Sequence, residues 1–102
     1  MKTIEGPVLW TSDEVSKVIG TKIVSKWLSN GIQFDSRKVK KGNIFFALPG
    51  TKLDGHNFIK DAVKSGAVAL IVNKAYKSNI YSNKIIKVDD VYKALILMAN
   101  EA

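Results

Sequence analysis

The chain has 102 residues, 46% of them apolar and 25% charged, with mean hydropathy near zero, a composition that fits one folded unit and is neither disordered-like nor membrane-like. No cysteine and a single histidine exclude disulfides, thiolate catalysis, sulfur-ligated zinc and any multi-histidine metal site. The net charge of +7 raises nucleic acid or phosphorylated ligands as partners, but fifteen of the sixteen cationic residues are lysines spread along the chain, without the arginine-rich stripe of a nucleic-acid reader.

The N-terminus, MKTIEGPVLW, lacks an apolar h-region and a small-residue cleavage pattern, so a cytoplasmic location is the expectation. Thr11 and Glu14 form a T-x-x-E capping box, with Trp10 placed to staple onto Val15. Val15, Val18 and Ile19 make the apolar face of this first helix, and Gly20 supplies its stop. A strand is predicted over Lys22 to Leu28, then a turn at Ser29-Asn30-Gly31, then Ile32 to Phe34, read as a hairpin or a pair of edge strands. Val39 to Gly42 is a turn. Asn43 to Leu48 (NIFFAL) is wholly apolar after its first residue, so it predicts a strand covered on both faces. Asn57 to Ser65 puts Phe58, Ile59, Ala62 and Val63 on one helical face, with Gly66 as terminator. Ala67 to Val72 is a second buried strand, and strand, helix and strand in this order predict a βαβ crossover with parallel strands. A loop over Asn73 to Asn83 leads to a last strand, Lys84 to Val88. Asp89 then caps a helix with Val91, Ala94, Leu95 and Met98 inward. That helix runs to Ala102 without a stop signal, so the natural chain is expected to continue. The fold class is therefore α/β, a single domain over residues 1–102 with a small mixed sheet. Its size leaves little room for a catalytic apparatus, which favours a binding module or a piece of a larger enzyme.

Three groups of residues carry candidate chemistry. Gly50 to Gly55 has the spacing of a phosphate loop, but His56 and Asn57 stand where ATP binding needs lysine and a hydroxyl residue. Two readings remain for it: an anion-binding loop at a strand's carboxyl end, or a tight turn in which Asp54 caps the helix. Asp35-Ser36-Arg37 holds the only arginine; it reads either as a phosphate- or carboxylate-binding turn, or as a structural turn with Arg37 paired to Asp35 or Asp54. His56 reads as a packed or ligand-contacting side chain rather than a base, since no serine or cysteine motif accompanies it. Trp10 and Trp27 read as core residues, and Asp89 and Asp90 as helix capping.

The stretch FDSRKVKKGNIFFALPGTKLDGHNFIKDAVKSGAVALIV joins D-S-R, an apolar strand, G-x-x-x-D-G-H-x-F and A-x-x-x-G-A at one spacing. It resembles the N-terminal domain of the peptidoglycan Mur ligases, over roughly residues 9–100. Leu9-Trp10-Thr11 before the first helix resembles the branch adding D-alanyl-D-alanine more than the branch adding the third peptide residue. The resemblance implies a domain that holds the UDP end of UDP-N-acetylmuramoyl-tripeptide and is inactive alone. ATP and magnesium would be bound by a central domain, and a C-terminal domain would complete the enzyme. Carried over by position, Ser36 with Thr51, Lys52 and Leu53 would contact uridine or diphosphate, and Phe34 would lie beside the uracil. Arg37, Asp54 and His56 would support or line the pocket. Pro49 departs from the commoner residue before the loop's first glycine, which bears on the backbone facing the nucleotide.

Overall fold

The computed structural model describes residues 9–23, 25–48, 58–76, 81 and 83–101. The chain starts with a two-residue strand, β1 (Trp10–Thr11), that runs directly into helix α1 (Ser12–Ile19). The capping box forms as the spacing predicts: the Thr11 hydroxyl accepts the Glu14 N–H at 3.2 Å, and the Glu14 carboxylate accepts the Thr11 N–H at 3.0 Å. Gly20 closes the helix in a left-handed conformation. Trp10 and Val15 are both buried in one apolar cluster, so the staple holds.

Of the two readings of the segment around Ser29-Asn30-Gly31, the pair of edge strands holds and the hairpin does not: Leu28–Ser29 (β2) and Gly31–Gln33 (β3) each lie at the edge of a separate sheet. Only β2 pairs backward, antiparallel to β1, whereas β3 joins a different sheet, parallel to β4 (Asn43–Phe46). Asn30 explains the switch, because its side chain bridges to the next turn rather than closing a hairpin. Its amide donates to the Lys41 carbonyl at 2.9 Å, and its oxygen accepts from the Asn43 amide at 2.9 Å. A 3₁₀ turn (Ser36–Lys38) separates β3 from β4, and α2 (Ile59–Lys64) separates β4 from β5 (Ala69–Asn73). β6 (Ile85–Val88) and α3 (Val91–Glu101) complete the order.

The expected mixed sheet is thus divided into a four-stranded parallel sheet, β3-β4-β5-β6, and the small antiparallel pair β1-β2. Each parallel strand lies beside its successor in sequence, so the sheet contains no reversal of strand order. Parallel strands need cover on both faces, and the apolar runs of β4 and β5 provide two sets of side chains by simple alternation. Ile44, Phe46, Ala69 and Ile71 point to one side, where Val91, Ala94 and Met98 of α3 and Val15 of α1 complete the core. Phe45, Ala47, Leu70 and Val72 point to the other, under Val39, Ile59 and Ala62. Trp27 is 7% exposed and belongs to the first of these layers.

Helix α3 is capped one residue later than the sequence suggests: the Asp90 carboxylate accepts the Lys93 N–H at 3.0 Å. Asp89 pairs instead with Lys74 at 3.2 Å. The helix begins at Val91, so Asp90 is the residue whose side chain can reach the third helical amide. Among the described residues, no helix is long and apolar enough to cross a membrane.

Candidate functional site

The site begins where β3 ends. Gln33 lies opposite Phe45 in the parallel register, so the chain leaves β3 and β4 at the same end of the sheet. The Gln33 side-chain oxygen accepts the N–H groups of Phe34 at 3.1 Å and Asp35 at 3.2 Å. Two backbone donors that leave the ladder are thereby satisfied by one side chain. This bend turns Phe34 outward, 58% exposed, although an unconstrained phenyl ring would lose water contact by packing.

Asp35 then organises the next turn. Its Oδ1 accepts the Arg37 backbone N–H at 3.0 Å, and its carbonyl accepts the Lys38 N–H at 2.9 Å. The same carboxylate takes two bonds from the Arg37 guanidinium, Nε to Oδ1 at 3.1 Å and Nη2 to Oδ2 at 3.0 Å. Of the two readings of D-S-R, the pairing of Arg37 with Asp35 is therefore what the structure contains; Asp54 lies outside the described residues. Arg37 itself stays 87% exposed at its side chain, and Ser36 is half-buried.

The electrostatics follow from this fork. The Arg37 side-chain bonds, reinforced by its backbone N–H, hold the Asp35 carboxyl below its ordinary value of 3.8 against the opposing effect of burial. A depressed folded-state pKa means that the turn gains its full contribution above 3.8 and loses it as pH falls through the lower folded value. The Arg37 Nε–H resonance is therefore expected to sit at a paired position near neutral pH and to move to a free position on acidification below 3.8. Asp35→Asn should show the free position throughout. An Nε–H signal insensitive to both changes would contradict the pairing.

Ser36 and Arg37 face a shallow open hollow of about 300 Å³ whose far side is built by Asp61, Lys64 and Ser65 of α2 and its end. Val39, 7% exposed, anchors the turn against the buried Ile59 and Ala62 of the same helix. The remaining predicted site residues, Thr51, Lys52, Leu53, Asp54 and His56, lie outside the described residues, as does Pro49. Trp10 and Trp27, 6% and 7% exposed, are core side chains and not stacking platforms.

Sequence reasoning missed four members of this region. Gln33 carries a weak signal, a polar residue at the end of an apolar strand immediately before D-S-R. Asp61, Lys64 and Ser65 carry none, because only the packing of α2 on the 3₁₀ turn brings them opposite Ser36. In the sequence, His56 and Asn57 stand where an ATP loop has lysine and a hydroxyl residue; among the described residues no three His, Asp or Glu side chains gather.

Comparison with known proteins gives the family and the fold. Residues 29–99 match the family model described as Mur ligase family, catalytic domain. A UDP-N-acetylmuramoyl-tripeptide--D-alanyl-D-alanine ligase of Rickettsia prowazekii is 41% identical over 92 residues, which cover 90% of this chain and 20% of that protein. A UDP-N-acetylmuramoyl-L-alanyl-D-glutamate--2,6-diaminopimelate ligase of Aquifex aeolicus is 45% identical over 71 residues, covering 70% of this chain and 14% of the relative. The crystal structure of MurF from Acinetobacter baumannii superposes with a TM-score of 0.74 at 26% identity, over 91% of this chain and 21% of that one. The chain thus spans about a fifth of the length of relatives of this kind. From the D-S-R turn to the last helix, the chain belongs to the Mur ligase family and has the fold of the MurF N-terminal domain.

Proposed function

We propose that this chain is the substrate-holding domain of an ATP-dependent ligase that adds D-alanyl-D-alanine to UDP-N-acetylmuramoyl-tripeptide in peptidoglycan precursor synthesis, and that it grips the UDP end of that substrate. The observation that carries the reading is the turn after β3, where an outward phenyl ring at Phe34 is followed within two residues by the Ser36 hydroxyl. A nucleotide presents a flat base and an anion at about that separation, and two residues of extended chain reach at most about 7 Å. Phe34 offers a stacking face for uracil. Ser36 offers a hydroxyl donor for a phosphate oxygen.

In this reading, Thr51, Lys52 and Leu53 complete the diphosphate contacts, while Asp54 and His56 line the pocket. Arg37 acts through Asp35, fixing the backbone that presents Ser36. No bond is made or broken by these residues. Their contribution is position: a remote hold on the nucleotide orients the peptide carboxylate for chemistry that uses ATP and magnesium in the ligase's other domains. The ligase adding the third peptide residue is the second reading, supported by the shorter matched stretch of the Aquifex relative. The fuller coverage of the D-alanyl-D-alanine-adding relative favours the first.

An amide-resolved NMR titration of the chain with UDP-N-acetylmuramoyl-tripeptide, uridine monophosphate and a short RNA, at low and moderate salt, tests the proposal. Saturable shifts at Phe34 and Ser36 that survive salt are expected with the UDP ligand. Phe34→Ala should weaken binding by about 1–3 kcal/mol, the worth of a base–aromatic stack. Shifts scattered over lysines, strongest with RNA and erased by salt, would overturn the proposal in favour of a nucleic-acid binder.

A further inference from the structure

The D-S-R turn offers a hydroxyl for a diphosphate but little uncompensated charge. Both Asp35 carboxylate oxygens are engaged by the guanidinium of Arg37, so the chain's only arginine is largely neutralised at the mouth of the hollow. The hollow's other wall is different. Lys64 stands in the last turn of α2 and is exposed, and among the described residues its ammonium has no hydrogen-bonded or ion-paired partner. Ser65, next to it, adds a second hydroxyl. The backbone under both is fixed, since the Ser65 N–H bonds the Asp61 carbonyl at 3.0 Å and the Gly66 N–H bonds the Val63 carbonyl at 3.0 Å. Asp61 faces the same hollow with a carboxylate that is likewise unpaired among the described residues.

We infer that Lys64 supplies the positive charge for the phosphates of a nucleoside diphosphate lying in this hollow, with the Ser36 and Ser65 hydroxyls donating to the phosphate oxygens from its two walls. Asp61 is the opposing charge that limits the affinity. The inference rests on the UDP-holding reading and deepens it by adding residues outside the D-S-R and D-G-H motifs. Lysine suits the task as a mobile point charge that follows the phosphate without demanding a fixed fork. An open site in high dielectric makes each such charge worth a modest factor rather than orders of magnitude.

The test is titration of the 102-residue chain and of Lys64→Gln, Lys64→Arg and Asp61→Asn with UDP, uridine and inorganic pyrophosphate, followed through the Ser36 amide. Both Lys64 and Asp61 are exposed, so the variants should keep the wild-type thermal midpoint. Lys64→Gln is expected to weaken UDP and pyrophosphate by about three- to fivefold and leave uridine unchanged. Lys64→Arg should retain wild-type affinity, and Asp61→Asn should tighten UDP by about twofold. If UDP shifts Ser36 with equal affinity in wild type and Lys64→Gln, the inference falls and the UDP-holding reading stands. If UDP produces no saturable shift at Ser36 in the wild type, both fall together.

Discussion

Replacing Gly66 with alanine is expected to destabilise the fold by about 2–4 kcal/mol, the sum of a left-handed penalty and an overpacking penalty. Gly66 has φ +106, and a Cβ placed there would lie 2.7 Å from the Cα of Lys41. The obstructing atom is backbone, so no side-chain rotation can relieve it. The position matters because three strands start there: the Gly42 N–H donates to the Gly66 carbonyl at 2.9 Å, the Asn30 N–H to the Gly42 carbonyl at 3.1 Å, and the Val68 N–H to the Asn43 carbonyl at 2.8 Å. Pushing the two turns apart would strain all three bonds together. Gly20→Ala is the control, since Gly20 also has a positive φ, +70, but nothing lies within 4 Å of its would-be Cβ. Urea and thermal unfolding of both variants separate the two penalties. Gly66→Ala should lose clearly more, at about 4–8 °C in Tm for each kcal/mol. Equal losses would mean that the Lys41 backbone gives way freely.

Phe45→Ala carries the other large expectation, about 3–5 kcal/mol, from lost burial plus the cavity left behind. Phe45 is fully buried in the middle of β4, between Gln33 and Leu70 in register. It lies in the layer that holds Val39, Ile59 and Ala62. The loss is a large fraction of the roughly 5–15 kcal/mol that holds a domain of this size together. Phe46→Ala should cost a similar amount, because Phe46 is equally buried on the opposite face against α1 and α3. The two should differ in what they do to the hollow. Phe45 underlies the contact between the 3₁₀ turn and α2, so its removal should move the Ser36 and Lys64 amide resonances, whereas Phe46→Ala should leave them nearly in place. A cost below about 1 kcal/mol for either variant would contradict the buried two-faced sheet.

The same layer links stability to the proposed function. Ser36 and Lys64 are placed by the packing of Val39 on Ile59 and Ala62, not by bonds between the two walls. Ligand affinity should therefore follow the integrity of this face more closely than that of the face covered by α1 and α3.

Local rules alone determined much of this protein. Thr11 and Glu14 specified the start of α1 because a capping box is a contact three residues long, and Gly20 specified its end by its own conformational freedom. NIFFAL and AVALIV specified buried parallel strands because unbroken apolar runs need cover on both faces. The joint D-S-R and D-G-H spacing specified the family. What failed in the sequence reading failed for one reason, the dependence of the outcome on distant partners. Ser29-Asn30-Gly31 has hairpin composition, yet Asn30 bonds to Lys41 and Asn43, and those partners send β3 into the parallel sheet. Asp89 and Asp90 are both capping residues by type, and only the register of β6 into α3 selects Asp90. The hollow opposite Ser36 was invisible because Asp61, Lys64 and Ser65 reach it through the docking of α2, a contact between segments far apart in the chain. Sequence determined the elements and the motif; tertiary packing decided which strand pairs with which, and which charges face the place where the motif ends.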